Sequence, residues 1–358
     1  MAFLEFKNVR IAGIAAAVPK CKFNNLELRQ GIDISSEYTP EAFVATTGVK
    51  ERRIGNLTTS DLGTCATERL IEDLGWQKDD IGALIFVSQM ADYILPATAC
   101  ILQDRLGLNK ECYATDIALG CSGWVYGLSI ALSLLSESGI RKALLIAGDA
   151  KRRAVYDDPL FGHAATVTAL EYAQGSEGFK FHFGTDGSGY DAIIIPDGGA
   201  RNQMTNKSLL SEEVEGKKVH RLQARMKGMD VFSFGITTAP KSVKKLADYF
   251  AFDYLEYDYF VFHQANMKMN DMIAKKLKLS DEKVPSCMYR FGNTSSASIP
   301  LTIATELKGR IESKPAKFIC CGFGVGLSWG TVAFETNNLI VSDLLEVSDD
   351  EADKKYVV

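Results

Sequence analysis

The chain has 358 residues, 46% of them hydrophobic and 24% charged, with a formal net charge of −5. That length suits one large or two ordinary globular domains, and the negative charge speaks against a general nucleic-acid-binding protein. The longest apolar stretches, such as Ile11–Val18, fall short of the roughly 20 residues of a membrane span, so no membrane association is expected.

The opening MAFLEFKNVR lacks the basic-then-apolar order of a signal peptide, and cytoplasmic residence is expected. The eight cysteines form no CxxC pair and the four histidines lie far apart, so no metal site is expected. Most of the cysteines read as small buried apolar residues.

In chain order, Ala83–Gln89 reads as a buried strand. Gly120-Cys-Ser-Gly-Trp124 reads as a tight turn leading into an apolar helix over Val125–Leu135, and Ala143–Ala147 as a further strand. Gly/Asp-rich turns at 184–189 and 196–199 lie in the link to a second half. There Tyr257–His263 is again strand-like, Gly292-Asn-Thr-Ser-Ser296 again turns into an apolar helix over Ile299–Leu307, and Phe318–Cys321 is again a strand. Uniformly apolar short runs between helices predict parallel strands covered on both faces, an α/β class. Ser342–Asp353 is rich in Asp, Glu and Ser and reads as a solvated tail.

The two halves are a weak repeat. Phe86 falls on Phe260, Cys121 on Ser295 and Gly148 on Gly322, all at one offset of 174 residues. The resulting division is 1–175, 176–336 and a tail over 337–358.

Cys121 sits between an apolar strand end and an apolar helix. A cysteine there feels the positive end of the helix dipole, which favours the nucleophilic thiolate; a small residue packed at a tight turn is the plainer alternative. His263 ends a strand, where α/β proteins gather functional side chains, although a lone histidine there can be structural. Asn293 by itself reads as a turn residue or cap. The repeat brings the three together: packed about a pseudo-twofold axis, the halves would form a Cys/His/Asn cluster able to activate a nucleophile and stabilise an oxyanion.

Several motifs together resemble the beta-ketoacyl-acyl-carrier-protein synthase III family from about Lys7 to Glu335. They are Thr47-Gly-Val-Lys-Glu-Arg-Arg-Ile54, Leu95-Pro-Ala-Thr-Ala-Cys100, Asp116 to Gly123, His263-Gln-Ala-Asn266, Gly292-Asn-Thr-Ser-Ser-Ala-Ser298 and Gly322-Phe-Gly-Val-Gly-Leu-Ser-Trp-Gly330. The resemblance implies a thiolase-like fold of two similar halves in five layers, α-β-α-β-α. It implies Cys121 as the acyl-accepting cysteine, and His263 and Asn293 as the pair that promotes malonyl decarboxylation. It implies the backbone N–H groups of Cys121 and Gly326 as the oxyanion hole and Lys268 as a contact of the acyl carrier protein. It also implies Leu95 at the acyl pocket of the partner subunit in a homodimer, with thioester substrates and no cofactor.

The sequence departs from the family pattern in places. Ala42 and Thr46 stand where members using CoA-linked starters resemble one another in carrying Trp and Arg, which puts acetyl-CoA priming in doubt. The segment from Asp149 to Thr166 is shorter than usual, with His163 expected to be structural, and Val325 replaces a usual glycine. The expected function is decarboxylative condensation with malonyl-acyl carrier protein in fatty-acid or specialised acyl-chain synthesis. The alternative is a non-decarboxylating acyltransferase or thioester condensing enzyme of the same superfamily. The absence of glutamate from Val87–Pro96, whose one acid is Asp92, weighs against a hydroxymethylglutaryl-CoA-synthase-like member. The GxGxxG spacing and the Gly-Lys-Ser/Thr P-loop of nucleotide-binding proteins are both missing.

Overall fold

Short runs of Ile, Val, Leu and Phe with no polar alternation fold where both faces are covered. Such runs form the middle of two sheets in the computed structural model, which describes residues 1–30, 34, 38–150, 158–214 and 217–351. The large-sheet strands of the first half are β1 (Ala2–Phe6), β2 (Val9–Pro19), β3 (Ala83–Val87), β4 (Tyr113–Ile117), β5 (Lys142–Gly148) and β6 (Ala165–Tyr172). Those that follow are β7 (Phe179–Thr185), β8 (Tyr259–Phe262), β9 (Ala316–Gly324), β10 (Ser328–Thr336), β11 (Ile340–Val341) and β12 (Leu345–Val347).

The first sheet runs β11-β2-β6-β5-β3-β4, with β12 also on β2; the second runs β1-β7-β10-β9-β8. The series β2-β6-β5-β3 and β7-β10-β9-β8 have the same pairing directions: two antiparallel junctions, then one parallel junction. This is the sequence repeat in three dimensions. The sheets are mixed rather than wholly parallel, because β5–β6 and β9–β10 pair antiparallel.

The helices are α1 (Pro40–Thr47), α2 (Thr59–Leu74), α3 (Thr98–Arg105), α4 (Gly123–Glu137), α5 (Gly228–Phe250), α6 (Met267–Leu277), α7 (Met288–Phe291), α8 (Ser298–Glu306) and the short α9 (Lys308–Ile311). α4 and α8 lie between the sheets, α2 and α3 pack outside the first, and α5 outside the second with α6 against it. The order is α-β-α-β-α. Three apolar clusters follow from it: one between the sheets around Trp124, Leu128, Ile299 and Leu301, and one on each outer face. Burying a Leu or Ile side chain is typically worth about 1.5–3 kcal/mol, so the apolar faces of α4 and α8 hold the middle layer. α2 starts with a capping box between Thr58 and Asp61 and stops at Gly75 in the left-handed conformation.

The ends of the chain cross over. β1 pairs with β7 in the second sheet, although residues 1–175 otherwise build the first. The segment expected to be a solvated tail is instead folded on β2: Ile340–Val341 run parallel to Gly13–Ile14, and Leu345–Val347 to Ala17–Pro19. Leu339, Val341 and Val347 are buried there, Arg53 pairs with Glu346 at 2.8 Å, and Asp349 accepts from the Asn56 N–H at 2.8 Å. The acidic composition hid apolar residues spaced to pair with an otherwise open strand edge. The end of that tail, and residues 151–157 of the shortened segment, lie outside the described residues.

Candidate active site

Cys121 follows β4 and precedes the first turn of α4. The turn sits close to the sheet because residue 123 is glycine: a Cβ there would lie 2.5 Å from Val87 Cγ1. Across the thiol, Gly324 at the end of β9 has the same origin, since its Cβ would lie 2.9 Å from Cys121 Sγ. Ser122 Oγ and Ser328 Oγ, 2.7 Å apart, tie this turn to the start of β10.

The resting thiol is not the thiolate that its place before a helix suggests. Burial, and then the Asp149 charge, push the Cys121 thiol up to about 12, against the lowering effects of the Ser295 hydroxyl and the Val325 N–H. Desolvation of the half-buried sulfur works against the helix dipole, which favours an anion by only about 1 kcal/mol.

His263 directly follows β8 and is 2% exposed. Its Nδ1 lies 2.8 Å from Ser298 Oγ, its N–H donates to the Cys321 carbonyl at 2.9 Å, and its ring stands edge-on to Phe323. Burial holds the imidazole down at about 3, so it is neutral at physiological pH; the Ser295 backbone favours the charged form but does not overcome burial.

Asn293 follows α7 and is held on both backbone sides: its N–H donates to the Leu160 carbonyl at 2.9 Å, and its carbonyl accepts from Gly162 N–H at 3.1 Å. Its Oδ1 accepts from the Ser295 N–H at 2.9 Å, which fixes the amide orientation and leaves Nδ2 as the donating end. Ser295 therefore touches all three proposed groups: the thiol through its hydroxyl, the imidazole through its backbone and the carboxamide through its N–H.

Two further residues were not among the sequence candidates. Ser295, the counterpart of Cys121 in the repeat, adopts φ +53°, an uncommon conformation for a residue with a side chain. Asp149 follows the end of β5. Its Oδ1 accepts from Ser88 Oγ at 2.9 Å and from the Gln89 N–H at 2.6 Å, while burial raises its carboxyl to about 6 against these bonds and the Ser295 hydroxyl. Its place after a strand shared with Gly148 was the available signal, since His263 occupies the corresponding kind of position.

Gly326 follows Val325 on the loop facing the thiol, with φ +144°. Lys268 is exposed in the first turn of α6, whose Met267 packs on Gly48 beside α1. Leu95 and Ile94 stand out, 80% and 98% exposed. Their loop is closed by Asp116, whose carboxylate accepts from the Thr98 and Ala99 N–H groups at 2.7 Å each. Ala42 and Thr46 are exposed on α1, and His163 is buried with its N–H on the Arg53 carbonyl. Among the described residues, no group of three or more His, Cys, Asp or Glu side chains could hold a metal ion, and no helix is long and apolar enough to cross a membrane.

Known structures share this fold. The 3-oxoacyl-(acyl-carrier protein) synthase of Burkholderia xenovorans LB400 is 37% identical, superposes with a TM-score of 0.88, and covers 97% of this chain and 99% of its own. The 3-oxoacyl-(acyl carrier protein) synthase III of Pseudomonas aeruginosa is 27% identical with a TM-score of 0.77, covering 92% and 98%. The fold is that of the thiolase-type condensing enzymes. In sequence, the family described as 3-oxoacyl-[acyl-carrier-protein (ACP)] synthase III matches residues 115–187, and the family of its C-terminal part matches residues 252–336. A "Putative 3-oxoacyl-[acyl-carrier-protein] synthase 3" of Campylobacter jejuni is 32% identical over 95% of this chain and 98% of its own length. A beta-ketoacyl-[acyl-carrier-protein] synthase III of Clostridium acetobutylicum is 31% identical over 92% and 98%. The chain belongs to the beta-ketoacyl-acyl-carrier-protein synthase III family, and it is an acyl-transferring condensing enzyme.

Proposed function

We propose that Cys121 accepts an acyl group as a thioester, and that His263 and Asn293 then drive decarboxylative condensation of that group with malonyl-acyl carrier protein. The observation that carries the reading is the meeting of a thiol, a neutral imidazole and an oriented carboxamide on one residue, Ser295.

In the first half-reaction the sulfur of Cys121 attacks the donor thioester. The N–H groups of Cys121 and Gly326 receive the oxyanion, and the donor leaves as a free thiol after taking up a proton. In the second, the malonyl thioester carbonyl sits between His263 and Asn293. Loss of CO2 leaves an enolate whose oxygen these two donors stabilise, each by about 3–4 kcal/mol of barrier. A cationic imidazole would bind the malonyl carboxylate and retain it, whereas a neutral one donates to the carbonyl without that competing attraction. The enolate carbon attacks the acyl-Cys121 carbonyl, and the sulfur departs. Thioester substrates supply all the atoms, so the reaction requires no cofactor.

Exposed Ala42 and Thr46 on α1 offer no ring or guanidinium to a nucleotide base, which favours a carrier-protein donor over CoA. Lys268 beside that helix suits the acidic surface of a carrier protein. The open edge of β4 and the exposed Ile94–Leu95 pair suit a twofold partner, since unpaired edges and apolar tips are otherwise liabilities. We assign the enzyme to the cytoplasm and to fatty-acid or specialised acyl-chain synthesis.

Intact-mass measurement of the protein after incubation with acyl-CoA and acyl-carrier-protein donors tests this. An acyl adduct on wild-type protein that is absent from Cys121→Ala is expected, and equal labelling of both would overturn the assignment.

A further inference from the structure

Burial raises the Cys121 thiol, so its attack on a thioester needs a proton acceptor. Neutral His263 is the obvious one, yet its place beside the malonyl carbonyl commits it to donation. A second acceptor lies on the other side of the sulfur. Asp149 Oδ1 is held by Ser88 and Gln89, whereas Oδ2 is sealed from solvent and makes no hydrogen bond of ordinary geometry. The Ser295 hydroxyl faces both the Asp149 carboxylate and the Cys121 sulfur. Gln89 itself lies against Gly120, so the loop that binds Asp149 also supports the nucleophile turn.

We propose that Asp149 accepts the Cys121 proton through the hydroxyl of Ser295. As sulfur bonds to the acyl carbon, the S–H proton moves to Ser295 Oγ while the Ser295 proton moves to Asp149 Oδ2. The carboxylic acid keeps that proton during acyl transfer, and the departing donor thiolate takes one proton from solvent. After condensation the released Cys121 thiolate recovers the proton by the same route. Over the cycle one solvent proton is consumed, on the leaving thiol, and Asp149 returns to its starting state. Asp149 touches no substrate and acts through Ser295.

The surroundings suit this role. Burial places the Asp149 carboxyl near 6, ionised at neutral pH yet far more basic than an exposed aspartate. Among the described residues, the titratable groups facing the pair are Cys121 and His263. Ser88, Gln89, Met90 and Ser295 are neutral, and α2 presents neutral Thr59 to Ala150. Asp92 and Arg105 meet instead on the next hydroxyl, Ser60, and Asp61 pairs with Arg105.

The proposal rests on Cys121 as the nucleophile, but its test reads thiol reactivity without any acyl donor. The rate of Cys121 alkylation by iodoacetamide is followed by intact mass from pH 4.5 to 9 on the full chain, with Cys121→Ala marking background. Wild type is expected to show a step near pH 6 and a plateau above it. Asp149→Asn is expected to lose the step and react at least tenfold slower at pH 7. A carboxylate that only repels the thiolate would give the opposite, because its removal would acidify the thiol and speed alkylation; that result overturns the proposal. Ser295→Ala separates the relay from direct transfer and stands in if Asp149→Asn fails to fold by circular dichroism: an unchanged step in Ser295→Ala also overturns it. If alkylation behaves as expected while no donor acylates Cys121, the relay stands and the proposed function falls.

Discussion

The hydroxyl of Ser295 lies against the thiol of Cys121, its counterpart 174 residues earlier in the internal repeat. The two turns that open α4 and α8 therefore meet face to face at the middle layer, one carrying the proposed nucleophile and the other the residue that contacts it. A duplicated fold can divide its labour in this way, because equivalent positions are brought together by the pseudo-symmetry while their chemistry is free to diverge.

Asn293→Ala is expected to keep self-acylation and to lose CO2 release by about 10²–10³-fold, the usual effect of deleting one oxyanion donor. Single-turnover CO2 release from pre-acylated protein measures this directly. Undiminished release would remove Asn293 from the enolate site.

The imidazole of His263 is depressed to about 3, so CO2 release from pre-acylated protein is expected to be flat between pH 5 and 8. A loss of rate centred near 6.5 on acidification, removed by His263→Asn, would show that the ring titrates normally and is not enclosed as described.

Stability should also follow the histidines. His182, with Nδ1 2.8 Å from Ser242 Oγ, is lowered from 6.5 to about 4, chiefly by burial. A group whose folded pKa is depressed below its unfolded value binds more protons unfolded, so stability rises with pH between about 4 and 6.5 for His182, and between about 3 and 6.5 for His263. Asp149 works in the reverse sense between 3.8 and about 6, because its folded carboxyl holds the proton more tightly. The urea midpoint of wild type is expected to fall from pH 7 to 4, and that of His182→Asn to fall less steeply. Parallel slopes would contradict the burial of that ring.

Gly324→Ala places a methyl group 2.9 Å from the Cys121 sulfur. Overpacking of this kind costs about 1–3 kcal/mol, which should lower the melting temperature and slow acylation together. Wild-type acylation kinetics in this variant would mean the two loops separate easily.

Leu95→Asp puts a charge on an 80%-exposed tip. If that tip enters a partner subunit, sedimentation should show a dimer in wild type and a monomer in the variant. A monomeric wild type would end the assignment of Leu95.

Much of this was readable along the chain. Apolar runs, glycine turns and one recurring offset define α/β halves without any coordinates, because periodicity and turn chemistry are local properties, and the family resemblance makes Cys121, His263 and Asn293 the candidates. The same offset had already paired Cys121 with Ser295. What local patterns could not supply was the company each group keeps. The protonated state of the Cys121 thiol follows from enclosure by residues hundreds of positions away, which reverses the expectation drawn from its helix alone. Asp149 stands beside it only because β5 and β4 flank β3 in one sheet. The acidic segment after Glu335 is bound because β2 offers an edge. Burial, and the fields inside it, are sums over neighbours that only the folded chain assembles.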